Sequence, residues 1–229
     1  QLQQIRIARD SRNFDEQLFL LEKLLKNRKS KLGEDHIAVA RVLSKLAYVI
    51  SRDYSEFTNK EARKRYQTAI LTIDKAIRIF KAKLGPMTWE TGLAIGQKGQ
   101  IISEYHLYSE STPTERAALY VEQGVAILSD DLGVDHEKTQ ALSSLLASIH
   151  FYLENYEKAV LFYEKTLPWI GTFASAQPER LVWHLEALAT AQASIGNYSE
   201  ATTNLSRAVT LMEGEATSMK SNHVPVLIY

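Results

Sequence analysis

Histidines, carboxylates and clustered glycines are where this sequence could carry chemistry, and they are few. His36 and His136 each follow an aspartate, Asp35 and Asp135, at the expected start of a helix. His184 and Glu186 lie close together, but there is no His-Glu-x-x-His and no third ligand is implied, so the pair does not make a metal site. There is no cysteine, which removes thiolate nucleophiles, disulfides and cysteine-bound zinc together. Gly92, Gly96 and Gly99 fall at helical spacing, as small packing residues do, without the strand and phosphate turn that a nucleotide loop needs. The triplets Asn197-Tyr198-Ser199 and Asn204-Leu205-Ser206 match a glycosylation acceptor, yet the second falls inside an expected helix, and both read as chance matches. Residues 23–31 and 60–65 are locally basic, but no aromatic residues are interleaved with them and the total charge is zero, which argues against a nucleic-acid binder. The sequence therefore predicts no catalytic, cofactor-binding or metal residues, and a protein that is not an enzyme.

The elements behind these residues must be those of a folded chain. Its 229 residues are 45% hydrophobic and 24% charged, a balance that supports a packed core. No apolar run approaches the roughly 20 residues that a bilayer-spanning helix requires, so direct membrane insertion is not expected. The localisation reads as intracellular and cytoplasmic, with an organelle lumen left open because a targeting segment can be missing. The chain starts at Gln1 and stops in an apolar run without a helix-ending signal, so it is expected to be a piece of a longer protein. Zero net charge hides an asymmetry: residues 1–100 hold 20 Lys and Arg against 11 Asp and Glu, and residues 101–229 hold 7 against 16. These charges read as solvated helix faces, or as a bipolar molecule whose basic end attracts an acidic partner.

Self-similarity decides the architecture. Leu146-Ala147-Ser148-Ile149 followed by Asn155-Tyr156-Glu157-Lys158-Ala159 returns as Leu188-Ala189-Thr190-Ala191 followed by Asn197-Tyr198-Ser199-Glu200-Ala201, each landmark displaced by 42 residues. Leu32-Gly33-Glu34-Asp35-His36 returns at Leu132-Gly133-Val134-Asp135-His136, displaced by 100, with Leu84-Gly85 between them. The two intermediate spacings, 52 and 48, equal 42 plus insertions of ten and six.

This pattern resembles the tetratricopeptide repeat, in particular the 42-residue units of kinesin light chains with their Leu-Gly-x-Asp-His junction. The resemblance implies an all-α, right-handed superhelix of stacked antiparallel helix pairs, with small residues where helices approach closely and large apolar residues filling the grooves. The small and large positions fall at Ala47, Ala69, Ile73 and Ala76; at Gly99, Ala117, Val121 and Gly124; at Ala147, Ala159, Tyr163 and Thr166; and at Ala189, Ala201, Leu205 and Ala208. An opening unit has Phe14 where later ones have Tyr156 and Tyr198. The expected units are residues 1–33, 34–85, 86–133, 134–172 and 175–216 of a repeat domain spanning 1–216. Residues 217–229 form a tail, either a cap or the start of a further repeat. Asp35 and Asp135 are expected to cap helix starts, Pro178 to open a helix, and Asn155 and Asn197 to supply the left-handed residue of a turn.

In this family the first helix of each pair lines the inner surface. The groove positions it implies are Arg41, Ser44, Lys45, Tyr48 and Arg52, then Gln100 and Ser103, then Ser144, Ser148 and Phe151, then Trp183, Glu186 and Thr190. A chaperone-type carboxylate clamp of Lys, Asn and Arg is not reproduced, because Ser44, Tyr48, Ser144 and Ser148 stand at its sites. The expected partner is a protein or peptide, acidic and with an aromatic anchor, as in the cargo peptides of kinesin light chains. The leading function is a non-catalytic adaptor or scaffold binding a partner segment on the concave face. Two alternatives stand beside it: a structural subunit or assembly factor of a larger complex, at an organelle membrane for instance, working through outer faces and inserted loops such as residues 53–65, and a peptide-responsive regulatory sensor. No oligomeric state follows from the sequence.

Overall fold

The computed structural model describes residues 13–52, 59–108, 115–173 and 175–221. Among them are the helices α1 (Phe14–Leu32), α2 (Ile37–Arg52), α3 (Asn59–Lys83), α4 (Trp89–Tyr108), α5 (Glu115–Leu132), α6 (Glu137–Tyr152), α7 (Tyr156–Gly171), α8 (Pro178–Ser194) and α9 (Tyr198–Ser221), and no strand. The chain divides into two compact units, Gln1–Leu145 and Leu146–Tyr229, the division falling within α6.

The Leu-Gly junctions explain where helices stop. Gly33, Gly85 and Gly133 all take positive φ, at 83°, 106° and 94°, a region open to glycine and strained for other residues. Each closes the preceding helix alike: the amides of Gly33, Gly85 and Gly133 donate to the carbonyls of Lys29, Lys81 and Ser129 at 3.0, 3.2 and 3.1 Å. Helix starts differ from expectation. The caps come from the histidines, not from Asp35 and Asp135: Nδ1 of His36 accepts from the Ala38 amide and Nδ1 of His136 from the Lys138 amide, each at 3.1 Å. The ring nitrogen of the residue immediately before the helix reaches amides that the aspartate, one position earlier, is too far out to serve. The asparagines are likewise reassigned. Glu154 (φ 59°) and Gly196 (φ 87°) hold the left-handed conformation. Asn155 and Asn197 follow them, their carbonyls accepting from Ala159 and Ala201 at 3.0 and 3.1 Å to begin the next helix. Pro178 opens α8 as expected.

Small residues sit where helices cross. In the first unit Ala47, Ala69, Ile73 and Ala76 are wholly buried in the α2–α3 core. In the α4–α5 pair, Gly92 faces Ile127 and Leu128, Gly124 faces Gly92 and Gly96, and Gly99 faces Ala117 and Val121. Numbers rising on one helix meet numbers falling on the other, so the pair is antiparallel. In the second unit Ala147, Ala159, Tyr163 and Ala189 are fully buried, and so are Ala201 and Ala208 at the α8–α9 contact. Leu205 departs from the pattern at 46% exposed, with Val209 and Met212 beside it at 46% and 44%. Their counterparts on α7 are Tyr163, Leu167 and Ile170, which lie within the unit's cores.

The ten-residue insertion is partly helical. Helix α3 starts at Asn59, well ahead of Ala69, whereas α7 starts at Tyr156, one turn before Ala159. Lys60, Arg63 and Lys64 are exposed on this added length. Residues 53–58, residues 1–12 of the expected opening unit (1–33) and the end of the tail (222–229) lie outside the described residues, while α9 runs through 217–221.

Candidate protein-binding site

Helices α2 and α4, first members of successive pairs, lie side by side in the first unit, joined by polar contacts. Arg41 pairs with Glu90 at 2.8 Å, the Ser44 hydroxyl donates to the Gln97 carbonyl oxygen, and the Ser51 hydroxyl donates to Glu104 at 3.3 Å. Glu104 also accepts from Gln100 Nε2 at 2.9 Å. Burial raises the Glu104 carboxyl above the ordinary carboxylate range, an effect opposed by the Gln100 hydrogen bond, the nearby Arg52 charge and the Ser51 hydroxyl.

This network sorts the expected groove residues. Ser44 and Ser103 are buried, at 9% and 3%, and Ser44 serves the contact with α4. Gln100 supports Glu104. What α2 presents outward is the stripe Arg41, Lys45, Tyr48 and Arg52, spaced by one helical turn each. The Arg52 guanidinium donates to the Tyr48 hydroxyl at 2.6 Å and lies 5.3 Å from its ring centre. Ser144, on α6, is half-buried in the same unit. Glu90, Gln97 and Glu104 escaped the sequence reading, although Ser44 and Ser51 share a seven-residue spacing with Gln97 and Glu104 that marks facing helix sides.

In the second unit Ser148 and Phe151 are half-buried, and Phe151 packs edge-on against Tyr156 and Tyr163. Trp183 is 47% exposed, with Glu186 and Thr190 exposed along the same face of α8. The Thr190 hydroxyl is spent on the Glu186 carbonyl at 2.8 Å.

His184 and Glu186 do not form a site. His184 is buried, its Nε2 donating to the Tyr163 carbonyl at 2.8 Å, while Nδ1 has no partner. Burial holds its pKa below the ordinary 6.5, the Tyr163 hydrogen bond opposing and the Arg180 charge adding to the effect. The folded state thus favours the neutral ring. Its contribution to stability is complete above pH 6.5 and is lost as pH falls from there toward the lowered native value. Thermal melts followed from pH 8 to pH 5 should show this acid-side loss, and His184→Gln should flatten it. An unchanged pH profile in the variant would assign the loss to other groups. Among the described residues no group of three or more His, Asp or Glu is placed to hold a metal, and no helix is long and apolar enough to cross a membrane.

Solved structures share this architecture. A kinesin light chain-type protein of Podosopora anserina with nearly identical TPR-like repeats aligns over 92% of each chain with a TM-score of 0.63 at 17% identity. BtubC (BKLC) of P. vanneervenii aligns over 93% of this chain and 78% of its own, with a TM-score of 0.69 at 14% identity. The fold is tetratricopeptide-like. The MamA protein aligns over 100% of this chain and 96% of its own, with a TM-score of 0.50 at 15% identity. No protein-family model matches this tetratricopeptide-like chain, and no curated protein matches it in sequence.

Proposed function

We propose that the chain is a non-catalytic protein–protein interaction module, an adaptor or scaffold that holds a partner segment on the face formed by the first helices. The observation that carries this reading is the α2 stripe. Three cations, Arg41, Lys45 and Arg52, flank a half-exposed tyrosine, Tyr48, on a helix whose other polar side chains are tied to α4. Arg and Tyr in such a setting suit an acidic segment with an aromatic anchor. Trp183, Ser148 and Phe151 are the matching candidates in the second unit.

Arg41 is held by Glu90, whose side chain is only 11% exposed, so removing Arg41 would leave a confined carboxylate unpaired. Lys45 and Tyr48 are therefore the residues to change. In calorimetry with an aromatic-acidic peptide, at a temperature where parent and variant are both folded because Tyr48 also packs on the Leu21 and Val49 core, Lys45→Ala combined with Tyr48→Ala should weaken binding by about 10- to 30-fold. Equal affinity in the variant would remove this face from the reading.

One observation favours the alternative, a subunit or assembly factor working through outer faces. Phe19, Leu71, Leu119 and Leu161 occupy the same repeat position, two residues after Gln17, Ala69, Ala117 and Ala159, and are 64%, 72%, 64% and 60% exposed. Single exposed apolar residues are ordinary, but recurrence at one register is not.

A further inference from the structure

In each unit a slot opens between the second helices of neighbouring pairs, with the intervening first helix as its floor. In the first unit it lies between α3 and α5 over α4, and one of the chain's own lysines occupies it. Lys98 Nζ rises from the floor to Asp74 Oδ1 at 2.6 Å, and sits 4.8 Å from the centre of the Tyr120 ring. Arg116 stands beside the same ring at 5.8 Å. Only 12% of the Lys98 side chain is exposed.

The repeat register maps this arrangement onto the slot between α7 and α9 over α8. Asp74 corresponds to Glu164, Lys98 to Leu188, Tyr120 to Asn204 and Arg116 to Glu200. The lysine is gone, a carboxylate remains where its partner stood, and the flanking cation has become a second carboxylate. The slot is an open cavity of about 400 Å³ lined by Glu164, Leu167, Leu188, Gln192, Glu200 and Asn204, among others. Its base is built: Gln192, 2% exposed, donates to Glu164 Oε1 at 3.1 Å and accepts from Asn204 Nδ2 at 2.9 Å. This ties down one oxygen of Glu164, an exposed residue on the wall of the slot. Neither Glu164 nor Glu200 has an ion pair among the described residues.

We infer that this slot of the second unit is a receptor for a lysine or arginine side chain of a partner polypeptide. The ammonium or guanidinium lies between Glu164 and Glu200, and the aliphatic stem lies on Leu167 and Leu188. The first unit shows the same slot filled in cis by Lys98, which is what charge complementarity predicts for its acidic counterpart. The site is separate from the first-helix face, so it stands or falls independently of the proposed groove.

The test uses the whole chain, labelled with ¹⁵N and titrated with Nα-acetyl-lysine methylamide, with Nα-acetyl-norleucine methylamide as the uncharged control of similar stem. Saturable amide shifts are expected at Leu188, Gln192, Ser199 and Asn204 with the lysine probe alone. Glu164→Gln and Glu200→Gln, both at exposed positions, should each weaken that response by about fivefold with the remaining spectrum unchanged. The inference is overturned if the norleucine probe gives the same shifts, if no saturable response develops at these residues, or if the double variant Glu164→Gln/Glu200→Gln responds as the parent does.

Discussion

Gly124→Ala should lower the unfolding free energy of the first unit by about 2 kcal/mol, at the centre of the range for overpacking a close helix crossing. A Cβ at this position would stand 2.8 Å from the Gly92 carbonyl oxygen and 2.9 Å from the Gly96 Cα and amide nitrogen. These are backbone atoms of the facing helix, so relief requires α4 and α5 to move apart. In an open helix the same change gains about 1 kcal/mol from helix propensity. Gly171 supplies that control with a smaller gain, because it is the last residue of α7, a Cβ there meets nothing within 4 Å and its φ is not positive. Urea melts should therefore show opposite signs for Gly124→Ala and Gly171→Ala. Equal and favourable shifts would mean that α4 and α5 are not in this contact.

Tyr163→Ala should be the most damaging single truncation in the second unit, at about 3–5 kcal/mol. Tyr163 is 0% exposed and touches several rings, with centroids at 4.9 Å to His184, 6.4 Å to Trp183 and 6.5 Å to Phe151. Its hydroxyl contributes little, since the Ser148 hydroxyl lies 3.5 Å away, at the limit of a hydrogen bond. Burial without a strong partner raises the phenol pKa to about 12. Tyr163→Phe should then cost about 1 kcal/mol or less, and fluorescence-detected denaturation separates the two variants. A loss in Tyr163→Phe as large as in Tyr163→Ala would place the stabilisation in the hydroxyl and not in the ring.

The repeat was legible because its signals are steric and recur. A side chain larger than Ala147 or Ala159 would hold helices apart, and only glycine relaxes into the φ that Gly33, Gly85 and Gly133 adopt. Those constraints act within one helix or one turn, so spacing exposes them. The capping histidines were less legible, because Asp and His are adjacent in the junction and the choice between them depends on which residue is the last before the helix. Least legible were the polar partners. That Arg41 meets Glu90, or that Ser51 meets Glu104, depends on how α2 and α4 are set against each other across the ten-residue insertion, which the repeat spacing does not specify. The groove stripe was visible as a face, but which of its members are spent inside the protein was not. The Glu164 slot carries no signal of its own in the sequence, since its acidic character has meaning only against the equivalent space that Lys98 fills.

The exposed edge of α9 bears on how the second unit comes apart. Where helices contact only their sequence neighbours, the chain behaves as a one-dimensional array of coupled segments. Tyr163, Leu167 and Ile170 are secured from both sides, whereas Leu205, Val209 and Met212 are secured from one among the described residues. Among the described residues the α9 edge is therefore held by fewer contacts than α7, and a segment laid on Leu205, Val209 and Met212 would raise the cost of opening it.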